Sequence, residues 1–202
     1  MKIAILGAGN IGGTLGRKLA TLGHEVIFGV RDPHSAKAQK AQGTSARIGS
    51  LREAADFAAV LVIALPLNAV REVLASLGDL SDKIIIDTTN AFGGLPAGYT
   101  SGAQAIADWS GSRRVVKAFN ATSWESLENP IFAGVRVETF VCADDAEAKA
   151  IGLQLAREVG FEAIDAGGLE NAALTENFAK LWGTLAIRLG HGRDFAFKMV
   201  RR

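Results

Sequence analysis

The sequence of 202 residues predicts an α/β fold: a doubly wound, mostly parallel sheet with a small C-terminal helical extension. Three observations carry that expectation. Short apolar runs alternate with amphipathic segments in a βαβαβ order. The connections between them are short. The apolar runs are continuous rather than alternating, as suits strands covered on both faces.

Residues 3–6 form an apolar run stopped by Gly7 and read as a buried strand. Residues 10–22 follow as a helix, with Ile11, Leu15, Leu19 and Leu22 on one face and Gly23 ending it. Residues 25–30 read as a second strand, and 32–42 as an alanine-rich helix ended by Gly43. A weak strand at 46–48 precedes a short helix through Arg52 and Ala55. Residues 59–65 (AVLVIAL) are the strongest strand, stopped by Pro66; 69–77 read as a helix and 83–87 as a strand. Residues 92–113, with five glycines, are expected to be loop with one short helix. Strands at 115–119 and 136–142, a helix at 144–159, a strand at 161–165 and a turn at Gly167-Gly168 complete the sheet. Thr122-Ser123-Trp124-Glu125 reads as a capping box opening a short helix.

Leu174, Phe178, Leu181, Leu185 and Leu189 then recur at helical spacing. This face is expected to pack on the sheet or to form a homodimer interface. Trp182 beside it is expected in core or interface packing, or lining a cleft. The alternating tail from Asp194 to Lys198 is expected to return as a strand or to cover that cleft. The chain therefore divides into a unit at 1–166 and a C-terminal helical segment at 167–202.

Composition narrows the functional classes. A net charge of +1, from 22 basic and 21 acidic residues, offers no excess for nucleic acid or an anionic membrane, so the expected partner is a small molecule. Cys142 is the only cysteine, which excludes an internal disulfide and fits a cytoplasmic location; it reads as a small buried apolar residue. His24, His34 and His191 lie far apart, so no metal site is expected. No run approaches the ~20 apolar residues of a membrane span, and no secretory signal is recognised.

Gly7-Ala8-Gly9-Asn10-Ile11-Gly12 matches GxGxxG between an expected strand and an expected helix, the dinucleotide-binding context of a Rossmann unit. Gly7 permits the tight turn, Gly9 lets the backbone approach a pyrophosphate, and Gly12 lets the helix sit close to the strand. The helix N-terminus, with Asn10 and Ile11, supplies free N–H groups and a positive dipole end. The second strand selects the dinucleotide. An acidic residue at its end would accept from the ribose 2′-OH of NAD, but here the strand ends Val30-Arg31. A guanidinium suits a 2′-phosphate, so NADP(H) is the expected cofactor, with His34, Ser35 and Lys37 as further donors. Asp32 is expected to cap the following helix.

Three segments reach the carboxyl ends of later strands: Leu65-Pro66-Leu67-Asn68, Asp87-Thr88-Thr89-Asn90 and Lys117-Ala118-Phe119-Asn120-Ala121. None supplies an evident general acid or base, so no catalytic side chain is assigned. Lys117 reads either as a strand-end lysine near solvent or as a catalytic group; Asp87 reads as a turn cap or as one. Such a site suits direct hydride transfer between stacked rings, governed by orientation.

GAGNIGGTLGRKLATLGHEVIFGVRDP, ALPLNAV, IIDTTNAF, VVKAFNA and GGLENA together resemble the NADPH-dependent coenzyme F420 reductase family, whose domain also occurs in membrane ferric reductases that pair NADPH with a flavin. The resemblance spans nearly the whole chain. It implies NADPH across Gly7 to Gly12, Arg31 on the 2′-phosphate, and nicotinamide near Leu65, Pro66, Asn90, Asn120 and Ala121. It further implies F420 or FMN/FAD as a co-substrate stacked on that ring, in a cleft closed by residues 167–171, and a homodimer. Val30 stands where the family often has serine or threonine, and Ala91 where it often has proline. The alternative functions are an NADPH-dependent reductase of a small imine, ketone or hydroxy acid, and a non-catalytic NADPH-binding module.

Overall fold

The structure is a computed structural model that describes all residues except 36, 37, 40, 42–45, 122 and 201. Its main sheet has eight strands. β1 (Lys2–Leu6), β2 (Glu25–Val30), β3 (Arg47–Ser50), β4 (Val60–Ile63), β5 (Ile84–Asp87) and β6 (Val115–Lys117) are parallel and lie in the order β3-β2-β1-β4-β5-β6. That is the doubly wound order, in which the chain reverses direction across the sheet between β1 and β4. β9 (Glu138–Ala143) continues the sheet antiparallel to β6, and β10 (Glu162–Asp165) pairs parallel to β9. β7 (Ile131–Phe132) and β8 (Val135–Arg136) make a separate small hairpin.

Two apolar cores form, one on each sheet face. Under α1 (Asn10–Thr21), α5 (Trp124–Glu128) and α6 (Ala146–Val159) lie Ile3, Ile5, Leu15, Phe28, Leu127 and Leu155. Under α2 (Leu51–Phe57), α3 (Leu67–Ser76) and α4 (Gly102–Ser110) lie Leu6, Leu61, Ile63, Val70, Leu74 and Ile106. Successive residues of β1 and β4 thus face opposite cores, and 3–6 and 60–63 are apolar throughout for that reason. Local sequence sets the helix starts. Ser50 opens α2 with a full capping box: its Oγ accepts from the Glu53 N–H and the Glu53 carboxylate accepts from the Ser50 N–H. Asp145 caps α6, and Gly160 ends it in the left-handed conformation.

Several expectations change. The strand expected to reach Phe119 stops at Lys117, because Phe119 takes φ +60° and leaves the sheet direction. Residues 136–142 divide between β8 and β9. Residue 122 lies outside the described residues; the α5 cap is Ser123, whose Oγ accepts from the Ser126 N–H. The helix expected at 32–42 falls partly outside the described residues, as do Lys37 and Gly43. Within the described part, Asp32 accepts from the His34 N–H and Ser35 Oγ from the Ala38 N–H.

The last helix, α7 (Ala172–Gly183), departs most from expectation. It continues through a π-type turn over Thr184–Arg188. Its inward side is Ala172, Thr175, Glu176, Ala179 and Trp182, with Ala186 following. Of the two fates expected for the leucine face, packing on the sheet is not seen for Leu174, Leu181 and Leu189, which are 66%, 50% and 61% exposed; Ile187 is 70% exposed. The tail does not return as a strand. Phe195 stacks on Trp182 at 5.5 Å, and Phe197 lies edge-on to Phe178 at 5.0 Å. No helix among the described residues is long and apolar enough to cross a membrane.

Candidate active site

The glycine loop is stretched between three strands. Gly7 donates its N–H to the Gly29 carbonyl (3.0 Å), and Ala64 donates to Leu6 (2.9 Å). Gly7 turns the chain at φ +109°, a conformation that strains residues with a Cβ. A Cβ on Gly12 would stand 2.2 Å from the Gly7 carbonyl oxygen and 2.9 Å from Ala64 Cβ. Glycine here is the condition for α1 to begin directly above β1. Gly9 is the N-cap of α1; no side chain caps the helix and no acid lies in its first turn. The N–H groups of that turn are thus left for an anion.

A cleft runs along the carboxyl ends of the strands on both sides of this loop. The smaller arm, about 510 Å³, is lined by Gly7, Gly29, Arg31, Ser35, Leu65 and Pro66 among others. Arg31 is exposed there, and no hydrogen bond or ion pair among the described residues holds its guanidinium. The larger arm, about 810 Å³, includes Gly9, Asn10, Ile11, Leu65, Pro66, Asn90, Asn120 and Ala121 in its lining. Leu65 and Pro66 belong to both arms. Of the twelve residues singled out from sequence, Gly12 alone packs beneath the cleft rather than lining it.

The floor of the large arm is polar and tightly tied. Asn90 Nδ2 donates to the Asn120 carbonyl (2.8 Å), and Asn120 Nδ2 donates to Asn90 Oδ1 (3.0 Å). Two buried atoms of the lining, Thr89 Oγ1 and Asn120 Oδ1, have no hydrogen-bond partner among the described residues. The turn that presents Asn120 and Ala121 is made by Phe119 at φ +60°, unusual for an aromatic residue, with its ring buried edge-on against Phe161 at 6.3 Å. The walls are aromatic: Phe92, Trp124 and Trp182.

Lys117 is not near solvent. Its fully buried Nζ lies 2.9 Å from Asp87 Oδ2 and 2.9 Å from Glu176 Oε1, and donates to the Thr89 carbonyl at 2.6 Å. Asp87 also accepts from the Thr89 N–H (2.7 Å), which is the expected turn cap. Glu176 additionally accepts from the Gly102 N–H at the start of α4 (2.9 Å). Sequence reasoning missed Glu176 because the leucine periodicity turned it outward. The signal that finds it is Lys117 itself: an ammonium within an apolar strand requires buried acids.

The outer wall comes from the tail. Arg193 lines the large arm, makes a two-toothed pair with Glu125 (2.7 and 2.8 Å) and lies 5.5 Å from the Trp182 ring. That guanidinium holds the Glu125 carboxyl down at about 2. Burial pushes the Cys142 thiol up to about 11, so it is a packed apolar group and not a nucleophile. No group of acids, histidines or cysteines suited to a metal occurs among the described residues.

The family model for coenzyme F420-dependent NADP oxidoreductase matches residues 2–91. The F420-dependent NADP reductase of Methanothermobacter thermautotrophicus is 33% identical over 214 residues, spanning 93% of this chain and 90% of that protein. The metalloreductase STEAP3 of Rattus norvegicus is 30% identical over 183 residues, 87% of this chain and 36% of that protein. A proposed F420-dependent NADP reductase from Arthrobacter sp. FB24 has a crystal structure that superimposes with a TM-score of 0.88 at 30% identity, covering all of both chains. A reductive aminase from Aspergillus terreus shares the fold, with a TM-score of 0.71 at 20% identity over 94% of this chain and 62% of that one.

Proposed function

The chain belongs to the family of F420-dependent NADP reductases, and on that premise we propose that it is an NADP-dependent oxidoreductase moving hydride between NADP(H) and a deazaflavin or flavin-type acceptor. The observation that carries this reading is the two-armed cleft meeting at the glycine loop: an exposed arginine without a partner among the described residues in the small arm and a wide aromatic arm at the other end. NADPH supplies the hydride when bound. The rest is positioning.

Gly7, Gly9, Asn10, Ile11 and Gly12 form the pyrophosphate cradle: three shape the turn, and the uncapped N–H groups meet the charge. Arg31 and Ser35 hold the 2′-phosphate, and Val30, the last residue of β2, adds no side-chain donor. Leu65 and Pro66 separate the two arms and direct the nicotinamide into the larger one. There Asn90, Asn120 and Ala121 form its floor. The unpartnered Thr89 Oγ1 and Asn120 Oδ1 suit a carboxamide, which brings both a donor and an acceptor. The remaining volume, between Phe92, Trp124 and Trp182, accepts a fused-ring partner face to face, and orientation supplies the catalysis without an acid–base side chain. The unit at 1–166 thus carries the nucleotide, and the segment at 167–202 supplies the acceptor-side wall. The exposed Leu174, Leu181, Ile187 and Leu189 fit a homodimer interface. A single buried cysteine fits a cytoplasmic setting.

Titration with NADPH and NADH tests the cofactor assignment. NADPH is expected to bind at least about tenfold tighter, and Arg31→Ala to abolish that preference. Equal affinities in the wild type refute it. Oxidation of NADPH with F420 or FMN tests the acceptor. Lys180 in the lining of the large arm keeps a small-imine or ketone reductase as the second reading, supported by turnover with such a substrate but with neither F420 nor FMN.

A further inference from the structure

Asp87, Lys117 and Glu176 do not line the cleft of the proposed nucleotide site, yet two of them bond to Thr89, which does. Asp87 and Lys117 end β5 and β6 on the edge where the cleft opens. Lys117 holds the carbonyl of Thr89, a residue of the cleft lining. The three side chains are essentially without solvent contact, so water screens their charges little. Two carboxylates face one ammonium, an excess of one negative charge. The N-terminus of α4 at Glu176 offsets about half of it.

NADPH and NADP⁺ have the same phosphates, sugars and adenine, so every contact to those parts, Arg31 included, cancels in the ratio of their affinities. The rings differ: the reduced nicotinamide is neutral and the oxidised one carries a positive charge. What remains in the ratio is the field at the ring. The cations of the cleft rim oppose a positive ring, but Arg188 and Arg193 are exposed, Lys180 is half-exposed, and Arg193 is already paired with Glu125. Exposed charges are screened within about 8–10 Å. The buried cluster is not.

We propose that the Asp87–Lys117–Glu176 cluster sets the redox-state preference of the site, favouring the cationic oxidised nicotinamide over the neutral reduced one, with Glu176 as the residue that makes the cluster net negative. The proposal rests on the nucleotide reading above. It makes Glu176 a positioning residue of electrostatic kind, acting on the ring without touching it.

The test compares dissociation constants for NADPH and NADP⁺, each titrated separately, in the wild type and in Glu176→Gln. Glutamine keeps the shape and the acceptor for Gly102 while removing the charge. The ratio Kd(NADPH)/Kd(NADP⁺) is expected to fall roughly fifteenfold, as for one unit charge acting over about 10 Å at an effective dielectric near 20. Weakened binding of both nucleotides with the ratio within about twofold of wild type assigns the cluster a purely structural role and overturns the proposal. Should Glu176→Gln fail to fold, Asp87→Asn is expected to shift the ratio in the same direction. The wild-type ratio should also hold between about 0.05 and 0.5 M salt; a change beyond twofold places the preference on exposed charges instead. Saturable binding with an unmoved ratio removes this proposal alone. Binding of neither nucleotide to the wild type removes the nucleotide reading with it.

Discussion

Gly12→Ala is the sharpest single perturbation of the cradle. The added methyl would stand 2.2 Å from the Gly7 carbonyl oxygen and 2.9 Å from Ala64 Cβ, and neither can swing aside. One belongs to the loop backbone and the other sits on the chain just after β4. Restoring ordinary contact requires α1 to lift by about 1 Å, an overpacking that costs roughly 1–3 kcal/mol. For a chain of this length each kcal/mol moves Tm by about 2–4 °C, so Tm should fall by roughly 2–12 °C. The same lift carries the N–H groups of α1 away from the phosphate and should weaken NADPH at least about tenfold. Thermal unfolding with and without NADPH reads both effects. Gly16→Ala is the control: its methyl would meet the buried Phe28 ring at 2.3 Å, further along α1. It should lower Tm and leave NADPH affinity within about twofold. A Gly12→Ala protein with wild-type Tm and wild-type affinity refutes the close-approach argument.

Ser50→Ala removes the Oγ that caps the Glu53 N–H, leaving the backbone half of the α2 capping box, and should cost about 1 kcal/mol in chemical denaturation with m unchanged. Asn120→Ala should weaken NADPH while leaving 2′,5′-ADP, which lacks the nicotinamide, bound as in the wild type; equal loss of both ligands contradicts the placement of the ring. The Glu125 carboxyl, held at about 2 in the folded chain against an ordinary 4.5, favours the docked tail above pH ~4.5 and progressively less as pH falls through about 2. Both partners are partly exposed, so solvent discounts the effect. Trp182 fluorescence should report loosening over that window, and Glu125→Gln should remove the dependence. If the proposed homodimer forms, Leu181→Glu with Leu189→Glu should leave a monomer by sedimentation without loss of Tm beyond a few degrees; a wild-type monomer, or a dimer unchanged by the substitutions, refutes the proposed interface.

Most of the sheet was legible because its central parallel strands β1, β4 and β5 carry continuous apolar runs closed by glycine, proline or a polar residue, as at 60–63 before Pro66. The cradle was legible because backbone geometry leaves few substitutes for glycine at Gly7 and Gly12. The reversal at β9 was not, since an antiparallel strand with both faces covered has the same continuous composition as a parallel one. Helix α7 misled for a related reason. Periodicity reports that a helix has an apolar side, and says nothing about whether a sheet or a second copy covers it. Here small residues, Ala172 and Ala179, take the sheet side, which lets the helix approach closely enough for Glu176 to reach Lys117.

That reach ties the end of the chain to its middle. The ammonium of Lys117, on the sixth strand, has one of its two carboxylate partners on a helix that begins at Ala172. Until the last helix docks, the Asp87–Lys117 pair lacks its second carboxylate and the cover of that helix, and a cut near residue 167 leaves it so permanently. Docking of the last helix and completion of the Asp87–Lys117–Glu176 cluster are therefore one event, and the chain should melt as a single cooperative unit.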